Sequence, residues 1–208
     1  MTEALEFSAL GPTAMVVGGP SVLSKAAMGL VPIRNGALRV RGWAPTEGVQ
    51  RGLLAGVLRD WVVPCNWTLR RALVECARLS GLPLADAQDR AKQCAETMLL
   101  VPLLDRSFGA APLAVRRAAS LASALVTRAQ VLMLEDLFEG LTFAEKQNFG
   151  EVAKRAIGDR EWICFCSHFD EAHPFASLAN EKVVLSPGKP ARVEVVITEL
   201  APVSAALA

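Results

Sequence analysis

The run Gly19-Pro20-Ser21-Val22-Leu23-Ser24-Lys25-Ala26 resembles a phosphate-binding loop that has kept its lysine and lost the residues around it. A loop of the pattern G-x-x-x-x-G-K-[ST] uses a glycine before the Lys for close backbone approach to phosphate. It uses a hydroxyl after the Lys to hold Mg²⁺. Ser24 and Ala26 occupy those two places, with Gly19 at the start of the loop. A second group that could do chemistry is the acid pair Glu135-Asp136, which follows the apolar run Val131-Leu132-Met133-Leu134. A third is His168, just after Trp162-Ile163-Cys164-Phe165-Cys166.

Such groups must be positioned by a scaffold, and the patterning predicts an α/β one. Ala14-Met15-Val16-Val17 ends in Gly18-Gly19, and the segment to Leu30 has helix-compatible spacing, so a strand, a Gly-rich turn and a helix are expected. Asn35-Gly36 predicts a tight turn before a strand over Ala37 to Arg41. Between Thr68 and Leu125 the apolar residues recur at helical spacing, with Leu69, Ala72, Leu73, Cys76 and Ala77 on one face. The runs at 131–134 and 162–166 are continuously apolar, as in central strands of a parallel sheet covered on both faces. Late strands are expected over Glu181 to Leu185 and Val193 to Ile197, and a frayed tail after Pro202.

Bulk properties narrow the function. With 208 residues, 52% of them hydrophobic, the chain is able to bury a large core. A net charge of +1, with scattered Lys and Arg, argues against a nucleic-acid partner held by phosphate neutralisation. Five cysteines, none in a C-x-x-C pair, predict a reducing cytosol in which thiols act as small hydrophobes. No apolar stretch is long enough for a membrane span and the start is not that of a secretion signal. The expected location is therefore cytoplasmic.

Read in order, the segments resemble the nucleotide-binding subunit of an ATP-binding cassette (ABC) transporter, in particular the exporter-type branch. Gly19 and Lys25 fall at Walker A, Asn35 to Gly42 resembles the strand that follows it, and Trp61 to Cys65 stands where the family's Q-loop begins. Leu69 to Pro83 is similar to the opening of the helical subdomain, and Val115 to Val126 to the signature helix. Val131 to Leu141 resembles Walker B and its continuation, and Ser167 to Ala172 the switch histidine segment. Their common order and spacing carry the resemblance.

The resemblance implies a RecA-like P-loop NTPase core, residues 1–63 and 126–208, with an inserted helical subdomain at 64–125. It also implies that the site is degenerate. The family's Walker B ends Asp-Glu, where this chain has Glu135-Asp136. Positional error of about 1 Å costs roughly 100-fold in rate. The Q-loop glutamine is replaced by Cys65, a poor partner for hard Mg²⁺. The signature falls on Ala111-Pro112-Leu113-Ala114, which lacks the hydroxyl and one amide of Leu-Ser-Gly-Gly. No counterpart to the adenine-stacking aromatic is evident, Phe7 being too close to the loop.

The expected function is thus a catalytically inactive cassette subunit that docks on an integral membrane permease and pairs with a second ABC ATPase subunit, at the inner face of the membrane. The alternative is a slow ATPase in which Lys25, Glu135, Asp136 and His168 still act on ATP and Mg²⁺, and a further alternative is a soluble adaptor outside transport. No cofactor or metal is expected unless the slow enzyme is correct. If docking is retained, Trp67, Leu69 and Leu73 are expected to shape the permease groove. Each polar residue also has a plain reading: Lys25 as a solvated helix-start lysine, His168 as a histidine satisfied by local backbone, and Arg116-Arg117 as solvent-facing.

Overall fold

Val131-Leu132-Met133-Leu134-Glu135 shows why a sheet covered on both faces forms here. In a strand, successive side chains point to opposite faces. Leu132 and Leu134 enter one core, and Val131 and Met133 enter another. A run with no polar alternation is stable only when both faces are dry. The computed structural model describes residues 12–18, 21–33, 37–168, 172–186 and 192–195.

The strands are β1 (Thr13–Val17), β2 (Leu54–Val57), β3 (Val131–Glu135), β4 (Glu161–Cys166), β5 (Glu181–Val184) and β6 (Arg192–Val195). They form one sheet in the order β2-β3-β4-β1-β5-β6. All neighbours are parallel except β5 and β6. The helices are α1 (Ser21–Ala27), α2 (Pro45–Gln50), α3 (Leu69–Leu79), α4 (Leu84–Thr97), α5 (Leu113–Leu125) and α6 (Phe143–Ile157). On one face, α5 packs against α3, α4, α6 and β2. On the other, Ala27 and Met28 cover Val131 and Met133.

Local signals account for the helix starts. Thr68 caps α3 by accepting the Arg71 amide at 3.2 Å. Thr142 and Glu145 form a reciprocal capping box at α6. The helical block at 64–125 has no core of its own, because Leu73, Ala91 and Ala119 belong to the same apolar cluster as Val57, Leu132 and Leu134.

The parallel α/β architecture agrees with the sequence expectation, and two local readings are corrected. Residues 37–39 carry no regular structure, and Val40 makes only an isolated bridge with Trp43. Positive φ at Arg41 and Gly42 (54° and 79°) turns the chain back there, so the alternation of this segment serves the burial of Val40 and not a strand. Arg117 is not solvent-facing: it is 5% exposed, and a nearby charge at Asp60 and the Glu139 carbonyl receive its guanidinium. Burial holds its pKa below the usual arginine value. The Asn35-Gly36 turn and the tail after Pro202 lie outside the described residues.

Gly18 closes β1 at φ +76°, where a Cβ would meet the Leu185 carbonyl oxygen at 2.5 Å. Gly52 has a similar φ, +70°, with nothing within 4 Å of a Cβ. Both alanine variants carry the left-handed penalty of about 1–2 kcal/mol. Only Gly18→Ala adds a backbone clash. In urea denaturation, Gly18→Ala is expected to lose at least about 1 kcal/mol more stability than Gly52→Ala. Equal losses would mean that the Leu185 segment yields freely.

Candidate functional site

Parallel strands bring their carboxyl ends to one edge, and the order β3-β4-β1 sets three of them side by side. Val17 is in register with Cys166, and Glu135 with Phe165. The residues that follow these ends, with the first turns of α1, enclose a cleft of about 350 Å³. Ser24, Lys25, Arg59, Glu135, Asp136 and Cys166 contribute to its wall. Four separate chain segments therefore converge on the point where the sequence placed its altered phosphate loop and its acid pair.

The acids are tied down by hydrogen bonds. Glu135 accepts from the Ser24 hydroxyl at 2.5 Å and from the Arg59 amide at 3.4 Å. Ser24 is 2% exposed and Glu135 half-buried, so this bond lies part-buried at the cleft wall. Asp136 adopts φ 39° as the chain turns off β3, its amide donating to the Phe165 carbonyl at 2.9 Å. Its two carboxylate oxygens accept from the Ser167 amide at 2.8 Å and the Ser167 hydroxyl at 2.6 Å. Each acid is thereby oriented by a neighbouring strand end, which stabilises the junction of β3 with α1 and β4.

The rim is an ion network. The Arg59 guanidinium meets Glu139 at 2.5 Å and Asp60 at 3.1 Å, and these carboxylates hold it protonated above the ordinary arginine value. Lys25 is exposed at the cleft wall and has no ion-pair partner among the described residues.

The segment whose sequence resembles a phosphate loop differs from what that pattern requires. Residues 21–24 would have to form the open cradle, yet α1 begins at Ser21. The helix ladder takes up carbonyls here, as in the Met28 amide donating to the Ser24 carbonyl at 3.0 Å, while the amides of the first turn have no partner within the helix. Gly19 lies outside the described residues, and Ala26 faces a different cavity, beside Val31 and Pro45.

The remaining sequence candidates are dispersed. His168 is exposed and lines a second cavity of about 230 Å³ that shares Asp136 and Cys166 with the main cleft. Cys65 is exposed outside the cleft, its carbonyl accepting from the Ser107 hydroxyl at 2.8 Å. Trp67 is half-buried, with the Arg71 guanidinium 4.7 Å over its ring. Leu69, 2% exposed, borders an apolar cavity of about 210 Å³ with Phe108, Pro112 and Val115. Leu73 is fully buried at 0% and belongs to the core.

Sequence reasoning did not single out Arg59, Asp60 or Ser167 as site residues. Arg59 and Asp60 follow β2, a strand interrupted by Gly56 and lacking a clear apolar pattern; a Cβ at Gly56 would meet the Met28 side chain at 2.9 Å. The available signal was a charged pair directly after a short Leu-Ala-Gly-Val-Leu run.

No protein-family model matches this sequence, and no curated protein matches it. Among solved structures, the chain is similar to one described as an inward-facing conformation of a metal-chelate type ABC transporter, with a TM-score of 0.73 and 15% identity. That match covers 92% of this chain and 75% of the other. It is also similar to the ATP-binding subunit of an ABC transporter, with a TM-score of 0.71, 18% identity, and coverage of 88% and 78%. At these identities the likeness is one of architecture: this chain has the fold of ABC ATP-binding subunits.

Proposed function

We propose that this chain is a degenerate ABC-type nucleotide-binding subunit, catalytically inactive, that acts structurally or as a regulator by docking on a membrane permease and pairing with a second ABC ATPase subunit. The observation that carries this reading is the helix that begins at Ser21 with the Ser24 side chain bonded to Glu135. Ser24 stands where a glycine amide would approach phosphate, it lies in a helix, and its hydroxyl is given to Glu135. Wrapping a loop around a phosphate there would require unwinding the start of α1 and breaking a part-buried hydrogen bond to a charged group, a bond worth about 1.5–3 kcal/mol. The missing hydroxyl at Ala26 and the altered acid order remove the compensation that Mg²⁺ would supply. Among the described residues no helix is long and apolar enough to cross a membrane, so membrane association in this reading comes through the permease.

A second reading, a slow ATPase, is favoured by one observation: Lys25, Glu135 and Asp136 still share a single cleft. Calorimetry with Mg-ATP separates the two. The inactive subunit is expected to show no binding tighter than about 1 mM. A micromolar dissociation constant abolished in Lys25→Ala would establish the slow enzyme instead. Hydrolysis by the isolated chain is expected at background, unchanged in Asp136→Ala and His168→Ala. A turnover that fell in either variant would assign those residues a catalytic role.

For docking, the apolar cavity bordered by Leu69, Phe108 and Val115, close to Trp67 in sequence and fold, is the surface assigned to the permease. Leu73 supports it from inside, and its truncation would cost about 2–5 kcal/mol of fold stability, so it is unsuited to the test. Trp67→Ala is expected to weaken co-purification with the native complex about 30-fold, and Lys25→Ala to leave it unchanged. Loss on Lys25→Ala with retention on Trp67→Ala would show that assembly depends on nucleotide.

A further inference from the structure

Cys164 and Cys166 are separated by one residue on β4, so both sulfurs fall on the same face of the sheet. Their Sγ atoms are 3.5 Å apart. His173, on the segment after β4, brings its Nε2 to 3.8 Å from the Cys166 sulfur. The ring is held edge-on to Phe138, centroids 5.1 Å apart. Cys164 is buried, while Cys166 forms part of the wall of both the main cleft and the neighbouring cavity, with 5% of its surface exposed.

Three such donor atoms within 4.8 Å of one another are compatible with a metal ion, but the histidine's hydrogen bonding opposes that use. The Phe175 amide donates to His173 Nδ1 at 3.2 Å, so Nδ1 is an acceptor and the ring proton sits on Nε2. A histidine that ligates through Nε2 instead keeps its proton on Nδ1 and donates it outward. With the proton on Nε2, His173 is a donor aimed at the Cys166 sulfur. The Cys164 thiol is the second group within reach of that sulfur.

We propose that Cys166 is a thiolate that a peroxide entering through the cleft oxidises to a sulfenic acid. The thiolate sulfur attacks one peroxide oxygen, the O–O bond breaks, and Cys166–S⁻ with H₂O₂ gives Cys166–SOH and hydroxide; sulfur is oxidised and peroxide reduced. Slight exposure at the cleft wall admits a reagent of two heavy atoms and hinders larger ones. The step ends at the sulfenic acid, because side chains one strand repeat apart run parallel and keep their Cβ atoms about 6.6 Å apart, beyond the roughly 4 Å between Cβ atoms that a disulfide requires. The inference is independent of whether the cleft binds nucleotide.

The charges around the sulfur are mixed. The hydrogen bonds from Cys164 and His173 lower the Cys166 pKa, and burial and the Asp136 carboxylate oppose them. Lys25, Arg59, Asp60 and Glu135 face it across the main cleft. Glu139, Lys146 and His168 face it across the other cavity. The Cys164 thiol is pushed up by its hydrogen bond to Cys166 and by burial, so it remains the protonated partner.

Exposed Cys65 provides a reference within the same chain. The full-length protein is exposed to hydrogen peroxide at pH 6 and pH 8, then denatured in dimedone and iodoacetamide, and each cysteine peptide is quantified by mass spectrometry. Oxidation of an ordinary thiol rises about 80-fold over this interval, following its thiolate fraction. Cys166 is expected to rise less than about fivefold and to carry the dimedone adduct at pH 6. His173→Gln, which keeps an N–H donor, is expected to retain this flat profile, and His173→Leu to steepen it toward that of Cys65. A Cys166 profile parallel to Cys65 in the unmodified protein would overturn the proposal. So would tight Zn²⁺ binding that is lost in His173→Leu, because Nε2 would then be a metal ligand and not a donor.

Discussion

The parallel alignment of β3, β4 and β1 is the constraint from which the site follows. Because these strands run the same way, their last residues end on one edge, and Glu135, Cys166 and the turn after Val17 become neighbours although they are far apart in sequence. β4 lies between the strand that leads into α1 and the strand that ends in the acids. The gap this leaves above β4 is the cleft, and its width is set by the sheet. What fills it is decided by side chains: Ser24 reaches across from α1 to Glu135, and Ser167 reaches back from the end of β4 to Asp136.

Those bonds give the acids a structural role. A carboxylate at a strand end costs desolvation unless it is satisfied, and here each is satisfied by a hydroxyl and a backbone amide from an adjoining element. The same residues that would coordinate an ion thereby fasten α1 and β4 to β3. The two carboxylates thus have polar contacts within the protein, and these contacts also join the elements of the fold. Function resides in such particulars and not in the architecture.

Much of the scaffold was legible in the residues. The apolar runs at 131–134 and 162–166 specify buried strands because nothing polar interrupts them, and the helical spacing from Leu69 to Leu125 specifies the covering layer. What was not legible depended on tertiary contact. β2 contains a glycine chosen for the approach of Met28, which no pattern reveals. The extent of α1 could not be read from Ser21 to Ser24, since serine there suits a turn or a first helical turn equally well. Cys164 and Cys166 read as apolar strand residues until His173, from a later segment, is placed beside them.

The central claim is that Ser21 to Ala27 is a closed helix locked by Ser24 and Glu135, and that Mg-ATP does not open it. Amide hydrogen exchange across this segment, measured with and without saturating Mg-ATP, tests it most directly. The account predicts the same protection in both conditions. A change in protection confined to residues 21–28 when Mg-ATP is added would contradict it, because the loop would then be a working cradle that folds around phosphate.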